Sequence, residues 1–324
     1  MSANKDHFAI IMAGGRGERF WPLSREKTPK QLLALFDRKS FLQHTFERVK
    51  PVVPAKNIFV ITNESQAAAV RKQLPRVPKE NIIAEPCGRD TCAAVALGAA
   101  LVGARSMTGI MAVLPADHVI PQKHEKKFQK ILEESFDLAS RGQAIATIGI
   151  PPSEPATGYG YIRVGEALPP PPGRKPYKTT FHRAERFVEK PRYEKAVEYL
   201  SSGQYRWNAG MFVFSFATIT ESLLKHQKPL HEACERWFNA AISSAKLKKA
   251  LAEDYPDLRK ISFDYGVMEN AQNVIVADGN FDWDDLGAWP ALSRHLKADP
   301  EGNCAEADFV HVDASRNVIF DTRE

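Results

Sequence analysis

The chain has 324 residues, 44 Lys and Arg against 39 Asp and Glu for a formal net charge of +5, and is 44% hydrophobic and 26% charged. These globular proportions exclude a disordered chain, a collagen-like repeat and a coiled coil. The longest uncharged runs, Thr91–Ala104 and Trp207–Thr220, are 14 residues each, short of the roughly 18 that suggest a membrane span.

The weak positive balance permits anionic small substrates without arguing for nucleic acid. No basic segment followed by an apolar run opens the chain, so no signal peptide is expected. Cys87, Cys92, Cys234 and Cys304 form no Cys-x-x-Cys pair. The expectation is reduced thiols in a cytoplasmic protein, with neither a zinc site nor a disulfide framework.

In chain order, His7–Ala13 is an apolar run ending in Gly14-Gly15 and reads as a buried strand entering a loop. Phe41, Leu42, Thr45, Phe46 and Val49 share one helical face. Ile58–Thr62 reads as a strand, and Asp90 or Thr91 is placed to cap an Ala-rich helix reaching Arg105. Ile110–Leu114 is a third strand, ending at Pro115-Ala116-Asp117-His118. Lys126–Arg141 reads as a helix and Ala144–Ile150 as a strand. This alternation predicts an α/β fold with a mainly parallel, twisted sheet and helices on both faces. Ligands then bind beyond the carboxyl ends of the strands, where Gly14–Arg19 and Pro115–His118 stand.

After residue 150 several prolines interrupt the rhythm. Tyr161–Val164, Ala184–Val188, Gly210–Phe216 and Val274–Ala277 read as strands of a mixed sheet, and Arg192–Ser201 and Thr218–Glu253 as helical stretches. Phe309–Val312 and Val318–Phe320 read as short C-terminal strands. The expected organisation is one domain over 1–300, in two parts that meet near residue 150, followed by a short β segment at 301–324.

Met12–Leu32 (MAGGRGERFWPLSREKTPKQL) is the most informative segment. A strand opens into a glycine-rich loop carrying Arg16, Arg19 and Arg25, with Lys30 beyond. Glycines let backbone N–H groups approach an anion, and the cations neutralise it. The loop lacks the third glycine of a dinucleotide fingerprint and the Gly-Lys-Ser/Thr of a P-loop.

The string resembles the signature of sugar-1-phosphate nucleotidyltransferases. Its Phe20-Trp21-Pro22-Leu23-Ser24-Arg25 and Thr28-Pro29-Lys30-Gln31 resemble the mannose-1-phosphate guanylyltransferase branch. The resemblance continues in order through Glu85–Thr91, Leu114–His118, Thr157–Ile162, Phe187–Pro191, Trp207–Phe212, Asp264–Glu269 and Trp283–Gly287. It implies a Rossmann-like nucleotidyltransferase fold and the conversion of GTP and mannose 1-phosphate into GDP-mannose and pyrophosphate. It also implies a nucleotide-binding part to about residue 150, a sugar-binding part to about 300, a C-terminal segment that is a short or truncated β-helix, and a homodimer. Cysteine usage, charge and run length add the expectation of a cytoplasmic protein with no nucleic-acid or membrane partner.

Such a reaction is attack by one anion on the phosphorus of another, so catalysis is positioning and charge neutralisation. The resemblance gives Asp117 and Asp285 an Mg2+ ion to hold, with Asp284 as rival to Asp285. It assigns Gly14, Gly15, Gly17 and Arg16 to the triphosphate, Lys30 to the α-phosphate, and Lys190 to the sugar phosphate. Glu189 and Asn208 are assigned to sugar hydroxyls beside the Gly160 backbone. Glu85 can accept both donors on the guanine edge, or it is a structural acid pairing with Arg89. Asp90 is either a nucleotide contact or a helix cap, and His118 either a base or ribose contact or a neighbour of a cap. The rivals are another nucleotide or sugar pairing, and a non-catalytic GDP-mannose-binding subunit on the same fold.

Overall fold

The computed structural model describes residues 6–15, 17–306 and 309–320. Strands and helices alternate through its first half as β1 (His7–Ala13), α1 (Phe41–Val49), β2 (Ile58–Asn63), α2 (Ala67–Gln73), β3 (Ile82–Glu85), α3 (Asp90–Arg105), β4 (Ile110–Pro115), α4 (Glu125–Ala139) and β5 (Ile145–Ile150). Then come β6 (Gly160–Ala167), β7 (Phe181–Glu189), α5 (Tyr193–Ser202), β8 (Tyr205–Ser215), α6 (Phe216–His226), α7 (Lys228–Ala240), α8 (Ser244–Asp254) and β9 (Val274–Asp278). β10 (Cys304–Glu306) and β11 (Val318–Phe320) pair in parallel at the C-terminal end.

One nine-stranded sheet, ordered β3-β2-β1-β4-β8-β5-β9-β7-β6, runs through both halves of the chain. β3, β2, β1 and β4 are mutually parallel, as are β5 and β9. β8 lies antiparallel between β4 and β5. A strand from the second half therefore sits at the centre of the sheet, and both halves contribute to one carboxyl edge. β6 pairs with β7 and also returns to the start of β8.

Successive residues of β1 bury on opposite faces, as strand geometry requires. Ile11 packs with Leu42, Phe46, Phe128 and Phe136, while Ile10 packs with α3 and with Trp237 of α7. α3 is buried from Cys92 through Gly103, which explains its weak amphipathic pattern. α1 begins with a capping box. The Ser40 side chain accepts from the Gln43 backbone N–H, and the Gln43 side chain accepts from that of Ser40.

Three expectations differ from the structure. The stretch Thr218–Glu253 divides into α6, α7 and α8. Gln227 leaves helical geometry (φ −142°, ψ 58°), α7 begins at Lys228 with Pro229 in its first turn, and extended Ser243 precedes α8. Phe309–Val312 is not a strand, and β11 pairs with β10 instead. Neither Asp90 nor Thr91 makes a conventional helix cap. Asp90 lies at φ +67° with its Oδ1 accepting from the Thr91 N–H at 2.8 Å, and the Thr91 hydroxyl oxygen accepts from the Phe263 N–H at 2.8 Å.

Asn303, 2% exposed, ties the C-terminal segment together. Its Nδ2 donates to Asp299 and the Ala314 carbonyl, and its Oδ1 accepts from the Asn317 backbone and side chain. Asn303→Ala is expected to cost about 1–3 kcal/mol locally by leaving these buried groups unpaired. Limited proteolysis should then cut within 304–320 faster than in the wild type, with the nine-stranded core still resistant. Equal cutting rates would contradict this role.

Candidate active site

The carboxyl ends of the parallel strands converge on a cleft of about 410 Å3. Gly14 and Gly15 follow β1, Asn63 and Glu85 end β2 and β3, and Asp117 follows β4. Glu189 ends β7, and Asn208 and Gly210 lie on β8. Tyr159, Gly160, Asp264, Trp283 and Asp285 complete the wall. A neighbouring cavity of about 660 Å3 shares Gly14, Gly15, Glu85 and Asp90 with it.

The glycine-rich loop is held through its carbonyls. Gln31 Nε2 donates to Ala13 O at 2.8 Å and Gly15 O at 2.9 Å, Thr62 Oγ1 to Ala13 O, and Asn63 Nδ2 to Gly14 O. In a trans peptide the N–H points opposite to the preceding carbonyl. The N–H groups of Gly14 and Gly15 therefore point away from these anchors, on residues that line the cleft. Ser24 donates to the Gly17 carbonyl. Gly17 has φ +63°, and a Cβ there would lie 2.6 Å from the Lys30 nitrogen, so only glycine fits. Arg16 lies outside the described residues. Arg19 donates to the Gly287 carbonyl and Arg25 to that of Pro22, both on the exposed rim.

Lys30, 5% exposed, donates to Asp117 Oδ2 at 2.8 Å and to the Asp285 carbonyl. Burial opposes the Asp117 charge, but the Lys30 ammonium outweighs it and holds the carboxyl below its ordinary value. Tyr159 donates to Asp285 Oδ1 at 2.9 Å. Asp284 is engaged elsewhere. It accepts from the Leu286 N–H, from Arg294 and from His295 at 2.8 Å, which fixes the turn that presents Asp285. Two carboxylates facing one cleft offer hard oxygen ligands suited to Mg2+. The Lys30 ammonium against Asp117 shows that a cation is accommodated there.

At one end of the cleft, Glu85 accepts from the Tyr255 hydroxyl at 3.0 Å. It does not pair with Arg89, whose guanidinium donates to the carbonyls of Tyr255 and Pro256. Burial pushes the Glu85 carboxyl up to about 7, with Tyr255 opposing and the Asp90 charge adding. His118 accepts from Trp283 Nε1 at 3.1 Å through Nδ1, and burial lowers its basicity.

At the other end, Glu189 lies over Gly160, where a Cβ would meet its Oε2 at 2.5 Å. Lys190 has φ +46° and folds its ammonium to 3.1 Å from Glu189; it is largely exposed at the rim. Asn208 donates to Asp264 at 2.6 Å and accepts from Thr147. Asp264 is not among the site residues expected from the sequence, although its motif is. Burial, reinforced by Glu189, pushes its carboxyl up to about 7.

A nucleotidyl transferase family model matches residues 8–301. The chain is 38% identical over 305 residues to proteins named mannose-1-phosphate guanylyltransferase from Klebsiella pneumoniae and from Escherichia coli, covering 93% of this chain and 63% of each relative. It therefore spans just under two thirds of the length of the curated relatives it matches. A solved structure from Thermus thermophilus, named a mannose-1-phosphate geranyltransferase, is 39% identical with a TM-score of 0.78, covering 92% of this chain and 81% of that one.

The raised Glu85 carboxyl fixes a pH signature. Its folded value of about 7 lies above the ordinary 4.5. Ionisation is thus less favourable in the folded state, and wild-type stability falls as pH rises through that window. Glu85→Gln is expected to gain on the wild type from pH 4.5 to 7 and level off about 3 kcal/mol ahead. Denaturant midpoints between about pH 4 and 9 test this; a pH-independent difference would contradict the assignment.

Proposed function

The chain belongs to the nucleotidyl transferase family, and from that premise we propose that it converts GTP and α-D-mannose 1-phosphate into GDP-mannose and pyrophosphate. The observation that carries the reading is one cleft holding a glycine-rich loop, a buried cation between Asp117 and Asp285, and two desolvated carboxyls at opposite ends. The printed names of the relatives point the same way.

The N–H groups of Gly14, Gly15 and Gly17, with Arg16, hold the triphosphate. Glu85 accepts the adjacent N1–H and N2–H2 donors of guanine. Glu189, Asn208 and Asp264 take the mannose hydroxyls beside the Gly160 backbone, and Lys190 swings from Glu189 to the sugar phosphate. A sugar-phosphate oxygen forms a bond to the α-phosphorus. The bond from that phosphorus to the bridging oxygen breaks, and pyrophosphate leaves with the electron pair. Lys30 neutralises charge on the α-phosphate as the bond forms. Mg2+, held by Asp117 and Asp285, supplies further charge neutralisation when bound. The reading places the enzyme in the cytoplasm as a homodimer.

Pyrophosphate release from GTP plus mannose 1-phosphate, beside ATP, UTP and glucose 1-phosphate controls, tests this directly. Release is expected with the GTP–mannose pair, and Lys30→Met should lower kcat by about 10²–10³. Release from a different pair would overturn the substrate assignment. No release with any pair, from folded protein that binds GDP-mannose, would favour a non-catalytic subunit.

A further inference from the structure

A separate cavity of about 750 Å3 lies beside the cleft. His118 borders both, whereas Val119 and Ile120 border only this cavity. Arg48 of α1 also lines it, 4% exposed. Its Nε is sealed from solvent with no hydrogen-bond partner. Among the described residues, no carboxylate lies within ion-pair distance of the guanidinium. Among the described residues, burial is offset by the Phe128 ring, 5.8 Å away, and by the field of Glu125, which also lines the cavity. Burial accordingly pulls the guanidinium down to about 10.

Three other acids around the cavity have partners: Asp37 lies 3.0 Å from His44, Asp282 meets Lys123 at 2.9 Å, and Glu47 meets Lys50. Arg48 is left as a desolvated cation facing an open space. Its planar fork of donors matches a tetrahedral oxyanion, and a low-dielectric wall strengthens that attraction.

We propose that this cavity is an anion site that seats a phosphate-class oxyanion on the Arg48 guanidinium. The ligand is either free phosphate or the phosphoryl group of a small metabolite. The site goes beyond the reaction proposed above and does not depend on it. Its wall touches the catalytic region through His118, and through His295, whose Nε2 lies 2.8 Å from Asp284.

The test is imidazole 1H–15N NMR on the full chain, titrated at fixed pH with inorganic phosphate and, in parallel, with glycerol 3-phosphate. His44 and His295 border this cavity but not the cleft, and His226 of α6 borders neither. Saturable shifts of His44 and His295 with a silent His226 are expected. Tighter binding of the ester would assign the source to a metabolite; tighter binding of phosphate would assign it to the free ion. In Arg48→Met, which keeps an apolar contact with Phe128, the same shifts should need at least tenfold more ligand. No saturable shift in the wild type with either probe would overturn the proposal, as would an unchanged titration in Arg48→Met. The wild-type arm decides even if the variant does not fold.

Discussion

Lys30 brings its ammonium to 2.8 Å from Asp117 and against the Asp285 carbonyl, joining segments 87 and 255 residues distant in sequence. An ammonium so buried is tolerated only with charge and hydrogen-bond partners supplied at once. Its position therefore depends on β4 delivering Asp117 and on the 284–287 turn delivering Asp285. Gln31, the next residue, grips the glycine-rich loop through the carbonyls of Ala13 and Gly15. One dipeptide thus sets both the loop and the separation of the two acids. The same dependence explains why Gly17 admits no side chain: a Cβ there strikes the Lys30 backbone.

The electrostatics divide the cleft into three regions. In the middle, a cation stabilises the Asp117 charge. At either end, burial outweighs the charges of the described residues and pushes the Glu85 and Asp264 carboxyls up to about 7, the latter even against the Lys190 charge. Under the proposed reaction this order matches the substrates. The phosphates meet positive charge in the centre. The uncharged base and sugar meet acceptors at the ends, where their N–H and O–H donors replace lost water. Placing β8 between β4 and β5 brings the sugar end onto the same sheet edge as the nucleotide end.

Much of this was legible in the sequence. Long apolar runs such as His7–Ala13 and Ile110–Leu114 read clearly as strands because both faces of the sheet are covered. β3, four residues with only its two ends buried, and α2, seven residues long, carried too little pattern to read. Phe309–Val312 is rich in strand-forming residues, yet Val310 and Val312 are exposed and the pairing goes to Cys304–Glu306. The distinction between Asp284 and Asp285 rested on the Leu-Gly that follows Asp285. Its physical basis, the capture of Asp284 by Arg294 and His295, is a tertiary fact. Asp264 and Arg48 were not read as site residues for the same reason: their desolvation comes from elements far away in the chain.

The central proposal is that the Asp117 and Asp285 carboxylates share one divalent cation beside the Lys30 ammonium. Electron paramagnetic resonance of Mn2+ in the presence of GTP measures this without relying on turnover. The account predicts that Asp117→Asn and Asp285→Asn each weaken Mn2+ binding at least tenfold while both proteins stay folded. Wild-type Mn2+ affinity in both variants would contradict it.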